Sequence, residues 1–537
     1  MALDHVAERD VLQETMRERL LTHRFASPTQ WNTYDKAHPD FKIEGWRGGV
    51  MSAGDNERRE LEEALHVDEI GIRPVPPEGR DATALQQFWI WAGANLAPIS
   101  WIVGTVGIAL GLSLLETILI AVIGQAVGAL IFGLFALMGH RTGVNQMVLA
   151  RVTFGRRGAY LPALLQTLMA TGWIGINTYV VLDLCLGIAH QMGLQPGDTV
   201  KYGLAVAIMI VQVVIGVLGF YAIRTFEKYT VPVVTVVMVV MTVVVLTRLG
   251  DISWTESSLA GGERFTAATQ LLTAVGVGWG MGWITWASDY SRFTRPGVSP
   301  RRLYAASAMG IFAPLSWLSI LGALSGTASQ AGDPAEIVAS LFGIMTVPVL
   351  FVILHGPVGT NIVNIYTASL GLLSLDMKLK RTTASLLTGV IGFLPLFVFI
   401  ESESFAAGFT NFMSSVVIWL SPWAGVTLVD WYVVRRRQVE CDALYADPRT
   451  SRYGDVNMRA VSAFLAGLAS AWAFQYGAIE AFQGPVARAM GNVDLSWAAG
   501  MGVSAVLYFL LTRGRAGVAA APPAPRVESA GENVVSS

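Results

Sequence analysis

The chain has 537 residues, of which 53% are hydrophobic and only 14% are charged, with a net charge of −2. A soluble domain usually has about a quarter charged residues, and a balance this close to neutral gives no reason to expect a nucleic-acid polymer as a partner. The two cysteines, Cys185 and Cys441, are too few for a disulfide framework. Composition therefore excludes a basic nucleic-acid binder and a disulfide-rich secreted domain, and it favours a membrane protein.

Both ends of the chain are polar. Residues 1–84 are mixed in charge and start with MALDHVAERDVLQETMRERL, which lacks the apolar core of a cleaved signal peptide. We expect residues 1–84 to form a cytoplasmic N-terminal extension and the first membrane span to direct insertion. Residues 513–537 include PPAP and VESAGENVVSS, a composition typical of disorder, and we predict a disordered cytoplasmic tail there.

Between these ends the chain is a series of apolar segments. A helix needs about 20 apolar residues to cross a bilayer. Candidate spans lie at 87–111, 114–138, 159–190, 201–220, 229–249, 267–290, 302–326, 345–374, 382–401, 405–434, 459–479 and 495–512. They predict an all-α integral membrane protein with twelve transmembrane helices over residues 85–512, surrounded by membrane lipid.

Basic residues mark one side of the membrane. Lys and Arg are concentrated in the loops that follow the even-numbered spans, whereas the opposite loops contain only Lys201, Arg248, Arg264 and Arg488. Because cytoplasmic loops carry the excess of positive charge, this distribution predicts that both termini are cytoplasmic. The membrane would be the inner (plasma) membrane of the cell.

The first and third spans carry polar or helix-breaking residues at membrane depth. Span 1 reads FWIWAGANLAPISWIVG, in which Pro98 removes a backbone donor in mid-span. In span 3, Trp173 and Asn177 are four residues apart and therefore share a helix face. An indole beside an amide suits a flat heterocycle, although a packing Trp with an Asn bonded to a neighbouring helix explains the pair equally well.

Span 6 resembles span 1 in being interrupted, because Gly276, Gly278, Gly280 and Gly282 alternate through it. Interruptions at matching places predict two inverted repeats of five spans, 87–249 and 267–434, followed by two extra helices over 459–512. The alternative is that small residues only allow helices to pack closely.

Span 8 places Thr360, Asn361 and Asn364 in the membrane. Buried polar groups in lipid need partners, so these side chains face a ligand, water or a neighbouring helix. No phosphate-binding loop, metal-ligand cluster or nucleophile–base pair occurs in the sequence, so we expect neither a cofactor nor a metal, and no enzyme.

Five segments together resemble the nucleobase:cation symporter-1 family, and within it the purine–cytosine permease branch. They are FWIWAGAN, GHRTGVNQMVLARVTFGRRGAYLPALLQ, ATGWIGIN, GMGWITWASDYSRF and GTNIVNIYTASLGL. The resemblance covers about residues 71–436. It implies a LeuT-like fold of twelve spans, with a 5+5 inverted repeat that rocks between a bundle and a scaffold.

The resemblance also implies roles for individual residues. Trp173 matches the tryptophan that stacks on the substrate ring, and Asn177 matches an amide one turn later. The stacking aromatic of span 6 would be Trp283, with Trp279 as the alternative. The span 8 amides would be those of Asn361 and Asn364.

The same resemblance places a cation near the break in span 1. Ala97 and Ser100 would lie beside it, and Thr360 corresponds to a hydroxyl of the cation site in sodium-coupled members. Those members tend to have two adjacent hydroxyls where this chain has Gly359 and Thr360. The missing hydroxyl favours a proton over sodium as the coupling cation, with Asp183 and Asp289 as candidate titrating groups. An ion pair between Asp289 and Arg292 is the structural alternative.

The sequence thus predicts a secondary active transporter that imports a planar nitrogen heterocycle, such as cytosine or a purine, by alternating access. One alternative keeps the mechanism but changes the cargo to allantoin, hydantoin or a vitamin-like heterocycle. Another is a membrane sensor built on a transporter fold, with residues 1–84 as its output segment.

Overall fold

In the computed structural model, the described residues are 46–47, 50–51, 70–96, 99–329, 334–401, 405–477 and 479–513. The chain divides into two compact units, Met1–His66 and Val67–Ser537. The described part of the first unit is an antiparallel pair of two-residue strands, β1 (Trp46–Arg47) and β2 (Val50–Met51). Ala97, most of the predicted N-terminal extension and the tail after Arg513 lie outside the described residues.

The second unit is helical, and helices occupy every segment that the sequence predicts to be a span. The α-helices are α1 (Ala84–Asn95), α2 (Ile99–Ala109), α3 (Leu114–Thr142), α4 (Gln146–Phe154), α5 (Tyr160–Gln191), α6 (Asp198–Leu218), α7 (Phe220–Leu246), α8 (Gly261–Leu271), α9 (Gly278–Gly282), α10 (Ala287–Ser291), α11 (Pro300–Ser329), α12 (Pro334–Phe342), α13 (Thr346–Ile353), α14 (His355–Leu373), α15 (Arg381–Ile391), α16 (Phe393–Ile400), α17 (Phe405–Leu428), α18 (Met458–Ala473), α19 (Pro485–Ala489) and α20 (Ser496–Thr512). Two π-helical segments, Leu272–Val277 and Val429–Val434, extend α8 and α17. Short 3-10 turns lie at Pro77–Gly79, Leu249–Asp251, Gly343–Met345, Asp442–Leu444 and Glu480–Phe482.

Within the described residues, eight helical segments are long and apolar enough to cross a membrane, and α1 with α2 makes a ninth if the bent pair is one span. The helices α18 and α20 are shorter and also apolar. Large apolar side chains such as Ile123, Val236 and Leu394 are exposed on the outer surface, where a soluble monomer rarely has so much apolar area. The chain is therefore a multi-pass membrane protein, while the number of twelve spans, the repeat and domain limits and the orientation of the termini remain predictions.

The break in span 1 follows from local chemistry. The helix α1 begins with a capping box in which the Thr83 hydroxyl accepts from the Gln86 backbone N–H while the Gln86 side chain accepts from the Thr83 backbone. It ends at Asn95, shortly before Pro98, and α2 leaves at an angle of 77°. The Ser100 hydroxyl donates to the Asn95 carbonyl over 2.9 Å and so satisfies a carbonyl that the break removes from the helix.

The glycines of span 6 have two different roles. A Cβ on Gly124 of α3 would lie 2.5 Å from the Gly276 Cα, and a Cβ on Gly128 would lie 2.6 Å from the Gly280 Cα. Backbone-to-backbone contact of this kind is the close packing that the sequence left open as the alternative. A Cβ on Gly282, by contrast, would meet no atom of the described residues within 4 Å, and the helix α9 ends at this residue. The interruption of span 6 therefore lies between α9 and α10.

The residues before α1 pack on the ends of the helices. The Val75 N–H donates to the Gly143 carbonyl over 2.8 Å, and the Ala82 N–H donates to the Phe293 carbonyl over 3.0 Å. The Arg80 guanidinium donates to carbonyls at both Val75 and Thr142. Residues 70–83 thus belong to the helical unit and hold the entry to α1 against the ends of α3 and α10.

Candidate functional site

The candidate site lies where the break of span 1 meets α5, α9 and α14. The indole rings of Trp173 and Trp279 are in edge-to-face contact, with centroids 5.4 Å apart and planes at 78°. The Trp279 indole N–H donates to the Asn95 side-chain oxygen over 3.3 Å. Edge-to-face contact is a favoured aromatic geometry, so spans 1, 3 and 6 converge on one aromatic centre.

The other span 6 candidate lies elsewhere. Trp283 packs edge-on against Trp91, at 5.8 Å, and against Trp286, at 5.6 Å. Trp91 in turn contacts Phe132 and Tyr290. The structure therefore places Trp279 against Trp173, and it places Trp283 in a buried aromatic cluster that includes Trp91 of α1.

Two buried amide side chains lie near this centre, those of Asn177 and Asn364. The Asn177 side-chain nitrogen donates to the Trp173 carbonyl over 2.9 Å, and the Asn364 nitrogen donates to the Asn361 oxygen over 3.5 Å. The oxygens of Asn177 and Asn364 have no hydrogen-bond partner among the described residues. Buried acceptors are nearly always satisfied in native proteins, so each is a place where a ligand N–H or a water can bind.

Asn361 has a different environment from its neighbour. Its side-chain nitrogen is 2.9 Å from each of three acceptors on α5 and α6, namely the Ile174 carbonyl, the Thr178 hydroxyl and the Gln212 side-chain oxygen. These bonds tie α14 to α5 and α6. The donors of Asn361 are thereby occupied, and its oxygen holds Asn364 in position.

The residues predicted for the cation lie at the same break. The Thr360 hydroxyl donates to the Ala94 carbonyl over 2.9 Å, which joins α14 to the last turn of α1. Ser100 makes the bond to Asn95 described above, and Ala97 is outside the described residues. The structure thus brings Thr360 and Ser100 to two adjacent carbonyls at the end of α1.

Glu227 is a residue of this region that sequence reasoning missed. It is only 3% exposed, and its carboxyl lies between Gly93 of α1 and Gly359 of α14. The sequence placed the start of span 5 at residue 229, so Glu227 was assigned to a loop. The helix α7 begins at Phe220. Had the sequence analysis started span 5 there, Glu227 would have been recognised as an acidic residue inside an apolar helix, which is a sign of a functional site.

Asp289, one of the two acidic residues that the sequence singled out, is bonded within the helical unit. It accepts from the Gln146 backbone N–H over 2.9 Å. The Arg292 guanidinium donates to the Gly71 carbonyl and to the Tyr366 hydroxyl. Asp289 and Arg292 thus link α4, α10, α14 and the residues before α1, and Asp183 lies partly buried on α5.

A charged cluster occupies the loop after α14. Asp376 accepts from Arg151 over 2.9 Å, from Arg156 over 2.8 Å and from the Tyr160 hydroxyl over 2.7 Å. Burial acts to raise the pKa of the Asp376 carboxyl, but the bonds from Arg156 and Tyr160 and the charge of Arg151 outweigh it and hold the pKa below its ordinary value. The cluster fixes α4 and α5 to the end of α14.

A cavity of about 320 Å³ lies apart from this aromatic centre. Its lining comes from α2, the first π-helical segment, α17 and the segment between α18 and α20, and includes Val106, Thr273, Met413, Gln475 and Asp494. Over the described residues, no group of three or more His, Cys, Asp or Glu side chains is placed to hold a metal ion. The absence of a cofactor remains a prediction.

Comparison with known proteins gives a consistent result. The sequence pattern of the family described as "Permease for cytosine/purines, uracil, thiamine, allantoin" matches residues 74–500. YxlA of Bacillus subtilis (strain 168), named as a candidate purine-cytosine permease, is 25% identical over 461 residues, which is 84% of this chain and 97% of that protein. The allantoin permease of the same organism is 25% identical over 486 residues, covering 82% of this chain and 92% of its own.

A solved structure has the same fold. It is that of Mhp1, a nucleobase-cation-symport-1 family transporter, in a closed conformation with bromovinylhydantoin bound. The TM-score is 0.68 at 19% identity, and the match covers 83% of this chain and 95% of Mhp1. The predicted fold class is confirmed. The prediction that the chain is not an enzyme is confirmed as well, because the matched proteins are permeases and transporters.

Proposed function

Because the chain belongs to the family of permeases for cytosine/purines, uracil, thiamine and allantoin, we propose that it is a secondary active transporter that imports a planar nitrogen heterocycle, such as cytosine or a purine. Transport proceeds by alternating access and is driven by the inward movement of a cation. The site faces each side of the membrane in turn, and the heterocycle binds at the aromatic centre between spans 1, 3 and 6.

The observation that carries the proposal is the position of Trp173. Its indole is partly exposed and packs against Trp279, and its carbonyl accepts from the Asn177 side chain, whose oxygen has no partner among the described residues. A ring that stacks on an indole gains about 1–3 kcal/mol by analogy with base–aromatic stacking. Since the Trp173 indole packs edge to face against both Trp279 and Phe412, a bound heterocycle either displaces one of these rings or stacks on the part of the indole that remains exposed.

The amides supply selectivity in this proposal. Asn177 and Asn364 each offer a buried oxygen that has no partner among the described residues, and this oxygen accepts from ring N–H or exocyclic amino groups of the cargo. An analogue without a donor at that edge would leave these oxygens unpaired, and sites built in this way reject such analogues strongly. Asn361 acts on the cargo through Asn364. Trp279 is the favoured partner of Trp173, with Trp283 as the alternative.

The cation belongs at the break of span 1. Ser100 and Thr360 hold the carbonyls of Asn95 and Ala94, and we place the coupling cation beside this end of α1, together with Ala97. A single hydroxyl at Gly359–Thr360 favours a proton over sodium. Allantoin, hydantoin or a vitamin-like heterocycle remain alternative cargoes, as the allantoin permease among the relatives illustrates.

The test is uptake of radiolabelled cytosine, adenine, hypoxanthine and allantoin into cells that lack their own carriers. We expect one of these compounds to accumulate, and we expect accumulation to be lost in Trp173→Ala and on addition of a protonophore. Trp472→Ala is the matched control, because Trp472 is 46% exposed on the outer surface. Wild-type uptake that survives Trp173→Ala at equal membrane abundance contradicts the assigned site, and uptake of none of the four compounds contradicts the cargo class.

A further inference from the structure

The buried carboxyl of Glu227 lies in the interior of the helical unit, at the contact of three helices. A Cβ on Gly93 of α1 would overlap the Glu227 Oε2 atom, and a Cβ on Gly359 of α14 would lie 2.8 Å from Oε1. Both positions are glycine, so the carboxyl of α7 reaches the backbones of α1 and α14. The side chain therefore fills the junction of the two helices.

No cation offsets this carboxyl among the described residues. The Glu227 Oε1 atom has no hydrogen-bond partner there. On its own helix, Arg224 pairs with Asp81 over 2.8 Å, and the Lys228 ammonium lies over the Tyr229 ring. An ionised carboxylate buried without a cation or donors is strongly disfavoured, so these surroundings favour the neutral carboxylic acid form of Glu227.

The other elements packed against α7 supply few titratable groups. The helices α1 and α13 contain no titratable residue. The titratable residues of α6, α11 and α12 lie towards the ends of these helices. The facing side chains are His355 at the start of α14, whose Nδ1 lies 3.2 Å from the Val352 carbonyl, and Tyr290 of α10, which donates to the Val363 carbonyl over 3.1 Å. Tyr366 of α14 accepts from Arg292. Each of these groups is bonded elsewhere, and none of them forms an ion pair with Glu227.

The position of Glu227 connects it to the transport machinery. Gly93 and Gly359 directly precede Ala94 and Thr360, whose hydrogen bond joins α1 to α14 beside the break of span 1. A neutral carboxyl can stay in this junction, whereas an ionised one needs water. Loss of its charge thus favours the closed junction, and gain of charge favours an opened one.

We propose that the carboxyl of Glu227 is the binding site of the coupling proton. The carboxylate takes up one proton to form the carboxylic acid on one side of the membrane and releases it on the other, and no other bond is made or broken. This inference rests on the proposed transport function and assigns the coupling step to one side chain. Asp183 and Asp289, the candidates from sequence, are not needed for it.

The first experiment needs no cargo, so its outcome is independent of the transport assay. Infrared spectra of the purified full chain in lipid are recorded across a pH titration, in H₂O and D₂O. We expect a carbonyl stretch of a protonated carboxylic acid that disappears at alkaline pH, is absent in Glu227→Gln and remains in Glu336→Gln. Glu336 is the matched control, because it is an exposed glutamate on α12, which packs on α7.

Two results overturn the proposal at this stage. One is a spectrum in which Glu227→Gln changes no protonated-carboxyl band at any pH. The other is loss of the band when sodium chloride replaces choline chloride at fixed pH, which would make the carboxyl a sodium ligand. If Glu227→Gln does not fold, Glu227→Asp serves in its place, and the band must then shift in frequency and in its midpoint of titration.

The second experiment uses whichever radiolabelled compound the uptake assay identifies. In proteoliposomes, Glu227→Gln should retain exchange of labelled for unlabelled cargo within about twofold and lose accumulation driven by a pH gradient. A purely structural role would reduce both activities together. Accumulation by Glu227→Gln equal to that of the wild type contradicts the assignment even if the infrared band is found.

Discussion

The charged cluster at Asp376 allows the loss of stability in one variant to be predicted from the burial of its ion pair. Arg151 is 1% exposed and pairs with Asp376, which is 23% exposed, over 2.9 Å. In Asp376→Asn the Arg151 charge loses its counter-charge while it stays buried, since its other bonds go to the Leu444 and Ser374 carbonyls. Removal of one partner of a buried pair costs about 3–5 kcal/mol. We expect about 3 kcal/mol, because Asp376 is partly hydrated.

The substitution adds no backbone strain to the measured free energy of unfolding. Asp376 has a φ of +58°, and asparagine adopts that left-handed conformation as readily as aspartate. The matched control is Asp455→Asn, because Asp455 pairs with Arg157 over 3.3 Å at 40% and 66% exposure. An exposed pair of this kind contributes about 0–1 kcal/mol.

The assay is unfolding of the purified protein in mixed micelles by increasing fractions of denaturing detergent, which yields the free energy of unfolding of each variant. The pH dependence has a definite sign. Since the folded pKa of Asp376 is depressed, its contribution to stability is present above the unfolded pKa of about 4 and is lost as the pH falls through the folded pKa. The variant should therefore lose less stability on acidification than the wild type does. A cost in Asp376→Asn no larger than that in Asp455→Asn would refute the reasoning.

Two further predictions concern the helix contacts. Gly128→Ala should lower the free energy of unfolding by about 1–3 kcal/mol, as overpacking does, because its Cβ would lie 2.6 Å from the Gly280 Cα. The control is Gly502→Ala, at a helical position with no neighbour within 4 Å among the described residues, which should be neutral or stabilising in the same assay. Asn361→Ala should cost about 1–3 kcal/mol, because it removes one donor from buried acceptors on α5 and α6, whereas Asn177→Ala should weaken cargo binding and leave stability nearly unchanged. Equal stability losses in the two asparagine variants would contradict this division of roles.

The sequence by itself determined the class of protein and the place of its main irregularity. Apolar segments of sufficient length specify membrane helices, because a bilayer leaves the backbone no other hydrogen-bonding solution for an isolated segment. Pro98 located the break of span 1 in the same way, since a missing backbone donor is a local property. The five family motifs are likewise readable without a structure, and they led to the family whose pattern matches residues 74–500.

What the sequence could not decide were contacts between residues far apart in the chain. Both Trp279 and Trp283 fitted the span 6 motif, and only the tertiary position of α9, which packs on α3 and α17, places Trp279 against Trp173. The glycines of span 6 could signal a break or a close contact, and the choice depended on Gly124 and Gly128 in another helix.

Glu227 shows the same limit most clearly. Hydropathy ends a predicted span at the first charged residues, so the sequence analysis assigned Glu227 to the loop before span 5. Only the tertiary structure shows that α7 continues past it and that Gly93 and Gly359 leave room for its carboxyl. Hydropathy is a property of a segment, whereas the space and the partners around one side chain are set by the helices that meet there.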